Sequence, residues 1–270
     1  RFLLISILAC SLVSKLFAVD TIYVFSEIKI YGNTRTKSEV ILRELPFSVA
    51  DTVCQSEILT VVKKTEQNLL KTSLFNFVTV DLSLKGKEIT IEIRVEERWY
   101  LWPYPILEHG TRNWSTFLHD RDWSRINYGA AFEFHNLGGL DRTLKLKVRA
   151  GYREHYLVSY NLNGVGSNRN FSVGALVEFF RQKSFISAVD QNTPLYYRGS
   201  SKNVFTNFNT GVVMSNRIKI ASVFGAGFNY KSYSLIDTVA FPVEDDIYNF
   251  FSSSFANPFV FFKSDTRNNK

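Results

Sequence analysis

Strict alternation of apolar and polar residues runs through the last two thirds of the chain and most constrains its fold. In the segment RTLKLKVRAGYR, apolar residues from Leu144 to Tyr152 alternate with Lys145, Lys147 and Arg149. A period of two places the two sets on opposite faces of a β-strand. The segments INYGAAFEFHN, NFSVGALVEFF and RIKIASVFGAGFNYK repeat the pattern, and no helical period recurs there. This region is therefore predicted to be all-β, with antiparallel hairpins such as HNLGGLDRT.

Two antiparallel architectures could carry this alternation. A soluble sandwich buries the apolar face, whereas a membrane barrel turns it towards lipid and keeps charges in a wet interior. Several segments approach or exceed the roughly 9–11 residues that a tilted membrane strand needs, while soluble strands most often have about 5–6. The lengths favour a membrane barrel, in which aromatic residues near the segment ends would form an interfacial girdle. These aromatic residues are Tyr128, Phe134, Tyr152, Tyr156, Phe179, Phe180, Tyr230 and Tyr233.

The first residues have the pattern of an export signal. A basic residue precedes an apolar run from Phe2 to Val13, and LFA follows, which is typical of a signal peptide over residues 1–18. Two alternatives are a short membrane anchor and a lipoprotein cleavage box, ILAC, that ends in Cys10. If Cys10 is removed, Cys54 is the only cysteine left, so we predict neither a disulfide framework nor a zinc site.

Residues 21–98 predict a small α+β domain with the order βααββ. TIYVFSEIKIYG is the first strand, and TKSE is a candidate capping box with Thr36 as N-cap, opening a helix to about Leu45. A second helix is predicted from about Ser56 to Thr72. Its predicted apolar stripe is Leu59, Val62 and Leu69. Two alternating strands follow, FNFVTVDLSL and EITIEIRVEE, joined by a turn at Gly86.

The stretch VEERWYLWPYPILEHG places two prolines, Pro103 and Pro105, inside a strand-like run. Proline cannot donate to a sheet ladder. Because the amides of residues i and i+2 point to the same edge, both lost donors belong to one edge, and Trp102 and Tyr104 keep theirs on the other. The alternative is a stiff linker before the strand, with Trp99 and Trp102 at a membrane interface.

We find no pattern that predicts catalysis, a metal or a cofactor. The four histidines are scattered, the cluster HDRD at 119–122 lies in a loop-like segment, and paired acids are adjacent, so that on a strand they would face opposite sides. The formal net charge is +7, but the basic residues occupy alternating strand positions rather than one patch. A nucleic-acid partner is therefore not predicted, and anionic lipid or solubility explains the charge better.

The order of these motifs resembles the bacterial surface antigen family, the BamA/TamA-type outer-membrane assembly proteins. IKIYGNTRTKSEVILRELPF, SLFNFVTVDL and VEERW are similar to a POTRA domain, which has the same βααββ order. DRDWSRINYGAAFEFHNLGGLDRTLKLKVRAGY resembles the first hairpins of the family's barrel, and the forms from Bacteroidetes-type bacteria are the most similar. The resemblance implies a POTRA-like periplasmic domain over 21–98 and the N-terminal part of an outer-membrane barrel over 99–270.

The resemblance implies a non-enzymatic protein that inserts other β-barrel proteins into the outer membrane of a Gram-negative cell. Its partners would be unfolded outer-membrane proteins, outer-membrane lipids and accessory periplasmic lipoproteins. A two-partner-secretion transporter is the main alternative, and a passive porin and a soluble adhesin are others. Clients would pair with the POTRA edge strand, unless that strand is an ordinary edge without a client. The implied client-binding residues are Phe75, Phe77, Val78, Val80 and Leu82.

Two further sites follow from the resemblance. The family's barrel closes at a seam on its first strand, which implies that Trp99, Trp102, Pro103, Tyr104 and Pro105 border the seam. SDTRNN is similar to a mid-barrel motif of the family, and its residues would be Asp265, Arg267 and Asn268. We count roughly seven or eight strands, fewer than the family's barrel, which indicates a fragment. YYRGS at 196–200 is interpreted as an extracellular loop rather than as the family's lid-loop motif.

Overall fold

The structure is a computed structural model that describes residues 21–110, 123–166, 169–190, 193–198, 204–235 and 252–264. The chain forms two compact units. Of the described residues, 21–34 and 41–98 belong to the first unit, and 35–40 and 99–264 belong to the second. The predicted signal peptide, the HDRD cluster and the SDTRNN motif from Asp265 onward lie outside the described residues.

The first unit contains a four-stranded sheet with the order β2-β1-β4-β3. The strands are β1 (Ile22–Tyr31), β2 (Thr52–Cys54), β3 (Phe75–Lys85) and β4 (Glu88–Glu97). Helix α2 (Ile58–Lys71) belongs to this unit, and helix α1 (Ser38–Leu42) has residues in both units. β1 is parallel to β4, and the β1–β2 and β3–β4 pairs are antiparallel. The predicted α+β order is confirmed, with β2 as an additional strand that is too short to give an alternating pattern in the sequence.

Alternation along β4 builds the core of this unit. Ile89, Ile91 and Ile93 are fully buried. On the opposite face, Arg94 forms ion pairs with Asp81 and Glu92. One face of the sheet is therefore apolar and covered, as the sequence predicted, and the other is polar and solvated.

The stripe predicted for α2 is partly wrong. Leu59 is 71% exposed, whereas Ile58, Thr65 and Leu69 are buried. Ile58, Thr65 and Leu69 follow one another at intervals of seven and four residues, which places them on one helical face. Leu59 directly follows Ile58 and therefore lies on another face. Thr65 is accommodated because its hydroxyl donates to the Val61 carbonyl at 2.8 Å.

The second unit contains an eight-stranded antiparallel sheet with the order β14-β13-β12-β9-β8-β7-β6-β5, and a separate β10–β11 hairpin. The strands are β5 (Leu101–His109), β6 (Ile126–Phe134), β7 (Thr143–Gly151), β8 (Arg153–Val165), β9 (Phe171–Gln182), β10 (Ser184–Asp190), β11 (Thr193–Arg198), β12 (Phe205–Lys219), β13 (Ser222–Leu235) and β14 (Ser253–Ser264). Neighbours in this sheet are consecutive in the chain except where β12 follows β9. The segment RIKIASVFGAGFNYK, which alternates without a break in the sequence, forms a hairpin that turns at residues 220–221.

The turn between β6 and β7 contains the two positive-φ glycines that the sequence predicted. Gly138 and Gly139 adopt φ of +66° and +72°, a region that glycine enters without steric cost. The same turn contacts the 35–40 segment of the second unit. Asn136 Nδ2 donates to Thr36 Oγ1 at 2.8 Å, and that oxygen lies 3.0 Å from the Tyr100 hydroxyl. Helix α1 begins at Ser38, two residues after Thr36, and the predicted capping box stays a prediction.

The apolar face of the second sheet is exposed. Val148, Val158, Val177 and Phe228 are each about half exposed, and the strand register places them on the same face. The predicted girdle is only partly on this face. Tyr152 is buried, and Phe180 and Tyr233 lie on the opposite, polar face, where each contacts Phe205. In the described part of the chain, no helix is long and apolar enough to cross a membrane.

Candidate functional site: two free strand edges

The first candidate site is the outer edge of β3, the terminal strand of the first unit's sheet. At the end of the β3–β4 pair, the Arg98 amide donates to the Leu74 carbonyl at 3.0 Å. In an antiparallel pair, alternate residues direct their amides to the partner strand and the rest direct them outward. Counting through the bulge between Phe75 and Phe77, the amides of Thr79 and Asp81 face β4. Those of Val78, Val80 and Leu82 therefore face the free edge.

An independent contact supports this assignment at the centre of the strand. The Val80 amide donates to Oε1 of Glu66 on α2, at 3.3 Å. A side chain of the helix can accept that proton only because it points away from β4. The free edge of β3 therefore carries main-chain donors, and at Val80 one of them already has an acceptor.

The five residues implied for client binding fall into two groups. Val78, Val80 and Leu82 direct their amides to the free edge, and their side chains alternate with exposed positions. Val80 is 7% exposed, so its side chain belongs to the core. Phe75 is buried, whereas Phe77 is exposed on the polar face of the sheet beside the edge. Phe77 is thus the most exposed apolar side chain of this set.

The second candidate site is the outer edge of β5, one of the two terminal strands of the eight-stranded sheet. The His135 amide donates to the Tyr100 carbonyl at 2.7 Å, and the Gly110 amide donates to the Arg125 carbonyl at 2.8 Å. Both bonds fit the continuous β5–β6 register, so even-numbered residues of β5 face β6. Pro103 and Pro105 therefore face the free edge, and their missing donors cost the β5–β6 ladder nothing.

The aromatic residues around these prolines are exposed. Trp99, Trp102 and Tyr104 are between 40% and 65% exposed. Trp102 Nε1 donates to the Trp99 carbonyl at 3.1 Å, and the Trp99 indole donates to the Leu101 carbonyl. The two indoles are thus held against the backbone at the start of β5. Both prolines lie within the paired strand Leu101–His109 rather than in a segment before it.

The polar face of the second sheet is a network of ion pairs and hydrogen bonds. His155 Nε2 lies 2.7 Å from Glu178 Oε1, and Asn209 Nδ2 donates to Glu178 Oε2 at 3.1 Å. Arg149 pairs with Glu108 at 3.1 Å. The alternating pattern predicted the basic residues of β7 on this face. It did not predict the partner of Arg149, because Glu108 lies on a strand 41 positions away in sequence.

The described residues include no group of three or more His, Cys, Asp or Glu side chains able to hold a metal ion. Cys54 has a free thiol. Asp265, Arg267 and Asn268 cannot be placed, since they lie outside the described residues.

Comparison with known proteins covers both units. The family model for POTRA, described as a surface antigen variable number repeat, matches residues 23–98. No curated protein matches this chain. BamA from Haemophilus ducreyi, solved without POTRA domains 1–3, aligns over 92% of this chain and 45% of its own, with 13% identity and a TM-score of 0.54. CdiB from Acinetobacter baumannii aligns over 88% of this chain and 39% of its own, with 14% identity and a TM-score of 0.44.

This chain thus spans less than half the length of either solved structure. The match to BamA includes both units and establishes the fold they share. The order of the parts, a POTRA unit and then an antiparallel sheet like part of the BamA barrel, is the order the sequence predicted. Residues 23–98 therefore match the POTRA family model, and the chain shares its fold with part of BamA.

Proposed function

We propose that this protein resides in the outer membrane and assembles other β-barrel proteins there, capturing unfolded clients as added strands on β3. The observation that carries the proposal is the free edge of β3, with the amides of Val78, Val80 and Leu82 directed outward. Main-chain pairing at such an edge binds extended peptides with little demand on their sequence. That property suits a protein whose clients share β-strands but no common motif.

The second sheet supports a membrane location for the same protein. Its apolar face is exposed over several strands while its polar face carries paired charges. A soluble sheet would need a second layer to cover that apolar face, whereas a membrane barrel presents it to lipid. We propose that the first unit lies in the periplasm, with clients, lipid and accessory lipoproteins as partners.

The proposal also gives the proline edge of β5 a role. We propose that Trp99, Trp102, Pro103, Tyr104 and Pro105 border the seam of the barrel. A strand that pairs with β5 from outside finds no donor at two successive outward positions, so pairing there is weak. A weak closing edge would let a client strand compete for β5.

Proline substitution at Val78 and Val80 tests client capture at β3. Both amides point outward, so each proline removes a free-edge donor without breaking the β3–β4 ladder. We expect Val78→Pro and Val80→Pro to lower the amount of folded β-barrel proteins in the outer membrane while the first unit stays folded. The matched control is Val80→Ala, which trims the side chain but keeps the amide.

The readout is the outer-membrane protein profile of cells in which the chromosomal copy is replaced by the variant. Normal porin levels in both proline variants would contradict capture at β3. Loss of one secreted polypeptide with unchanged porin levels would instead favour the two-partner-secretion alternative.

A further inference from the structure

Glu66 already occupies the main-chain donor at the centre of the strand-binding edge. Its Oε1 accepts the Val80 amide at 3.3 Å, and Val80 is flanked along the edge by the outward amides of Val78 and Leu82. An incoming strand has to place a carbonyl on that same amide to extend the sheet past its midpoint. The carboxylate and the incoming carbonyl are therefore competitors for one proton.

The position of Glu66 on α2 is fixed, but its side chain can leave the edge. Its neighbour Thr65 and the nearby Leu69 are completely buried, so the helix backbone beneath Glu66 is held in the core. Glu66 itself is only partly buried. Rotation of its side chain towards solvent frees the Val80 amide without disturbing the fold.

The length of the hydrogen bond suits an exchangeable contact. Hydrogen bonds from N–H to oxygen most often have a donor–acceptor distance of about 2.9–3.0 Å, and the Glu66 contact is longer, at 3.3 Å. Exposed edge strands are also a hazard, because any unpaired strand can add to them. A displaceable acceptor at the midpoint reduces such pairing and still permits a strand that forms a full ladder.

We propose that Glu66 is a competing acceptor that raises the threshold for strand capture at β3. This inference rests on the proposed function, since it names a residue that tunes the client-binding edge. Short or poorly matched strands fail to displace the carboxylate, while a long extended strand does so through its other main-chain bonds. Glu66 acts on selectivity and does not itself hold the client.

The test measures binding of a strand peptide to the full chain in detergent micelles. The probe is the fluorescently labelled heptapeptide FSVGALV, the sequence of residues 171–177, capped at both ends so that it carries no charge and Coulomb repulsion by Glu66 cannot dominate. We expect Glu66→Ala to tighten peptide binding about threefold to tenfold, the range for regaining one amide from a competing acceptor. Glu66→Gln, which keeps a neutral acceptor, should fall between Glu66→Ala and the unaltered protein.

Two further variants make the result specific. Glu57→Ala removes the same charge just before the start of α2, where Glu57 makes no side-chain capping bond, and should leave binding unchanged. Val80→Pro should abolish binding, and the Glu66→Ala, Val80→Pro double variant should gain nothing over Val80→Pro. Far-ultraviolet circular dichroism checks the fold, and Leu82→Pro serves as a second edge variant if Val80→Pro misfolds.

The outcomes separate this inference from the proposed function. Loss of binding in Val80→Pro with no gain in Glu66→Ala overturns the role of Glu66 and leaves capture at β3 intact. Weaker binding in Glu66→Ala also overturns it, because Glu66 would then contact the peptide. Equal binding by Val80→Pro and the unaltered protein, or no binding by any of them, overturns both.

Discussion

Two terminal strands of this molecule, β3 and β5, differ in the main-chain donors at their free edges. β3 keeps its outward amides and covers one of them with the carboxylate of Glu66. β5 carries Pro103 and Pro105 at two successive outward positions and has no donor at either. Both strands are paired on the inner side, β5 in a continuous register and β3 with one bulge between Phe75 and Phe77. Pairing at a free strand edge can thus be limited in two ways. A side-chain acceptor can occupy a main-chain donor and move away, or prolines can remove the donors permanently.

The two sheets also differ in which of their faces is covered. The first unit buries the apolar face of β4 and exposes the polar one. In the second unit Val148, Val158, Val177 and Phe228 of the apolar face are exposed, and the polar face carries the paired charges. Alternation alone produces both sheets, and the surroundings decide which face is covered.

The largest effect is expected on the stability of the first unit, from a substitution in the buried face of β4, the partner strand of β3. Ile91 is completely buried, so Ile91→Ala should lower the free energy of unfolding of the first unit by about 2–5 kcal/mol. Hydrogen exchange of the β3 and β4 amides in the full chain measures this. Thr90→Ala, on the opposite face of the same strand, is the control, and equal effects of both substitutions would contradict a one-sided core.

A proline scan of β3 sharpens the comparison of edges. The Thr79 amide faces β4, so Thr79→Pro should break the ladder and cost about 1–3 kcal/mol, the range for an unsatisfied backbone group. Val80→Pro removes only an outward donor and should cost less. Hydrogen exchange at β4 distinguishes them, and a larger loss of protection in Val80→Pro would show that our assignment of the amides is reversed.

Restoring the missing donors of β5 tests the other edge. In the Pro103→Val, Pro105→Val double variant, each regained amide can add about 0.5–1.5 kcal/mol to pairing with an outside strand. We therefore expect slower client assembly and a tighter seam, measured by folding of a newly exported porin and by cysteine cross-linking across the β5 edge. Ile106→Val alters a side chain of β5 without adding a donor and should behave like the unaltered protein.

The smallest effect is expected on the wet face of the first sheet. A hydrogen bond to Glu27, and then the charge of that carboxylate, raise the pKa of Lys29 above 10.5, with the two groups 3.3 Å apart. A raised lysine pKa means that the pair contributes stability below 10.5, which is lost as the pH rises through the folded value. Titration of the Lys29 side chain by NMR should show a lower pKa in Glu27→Gln, and an unchanged pKa would contradict this pairing.

Local sequence patterns predicted the elements whose structure depends on residues close together in the chain. The isoleucines of β4 were predicted to share one face, and the two glycines of the β6–β7 turn were predicted to adopt positive φ; the structure shows both. Leu59 was predicted to be buried and is exposed, because three apolar positions fit more than one helical face. The alternating segment at residues 217–231 forms a hairpin, and its turn was not predicted because the residues there keep the alternating pattern.

The sequence by itself determined the alternation of the strands, the α+β order of the first unit, and the fact that both prolines remove donors from one and the same edge. These are properties of neighbouring residues and of the two-residue period. Only the tertiary structure decided that this edge of β5 is the unpaired one. The contact between Glu66 and the Val80 amide likewise joins a helix and a strand 14 positions apart. It exists because α2 packs on the sheet next to β3, and no local pattern in the chain records that packing.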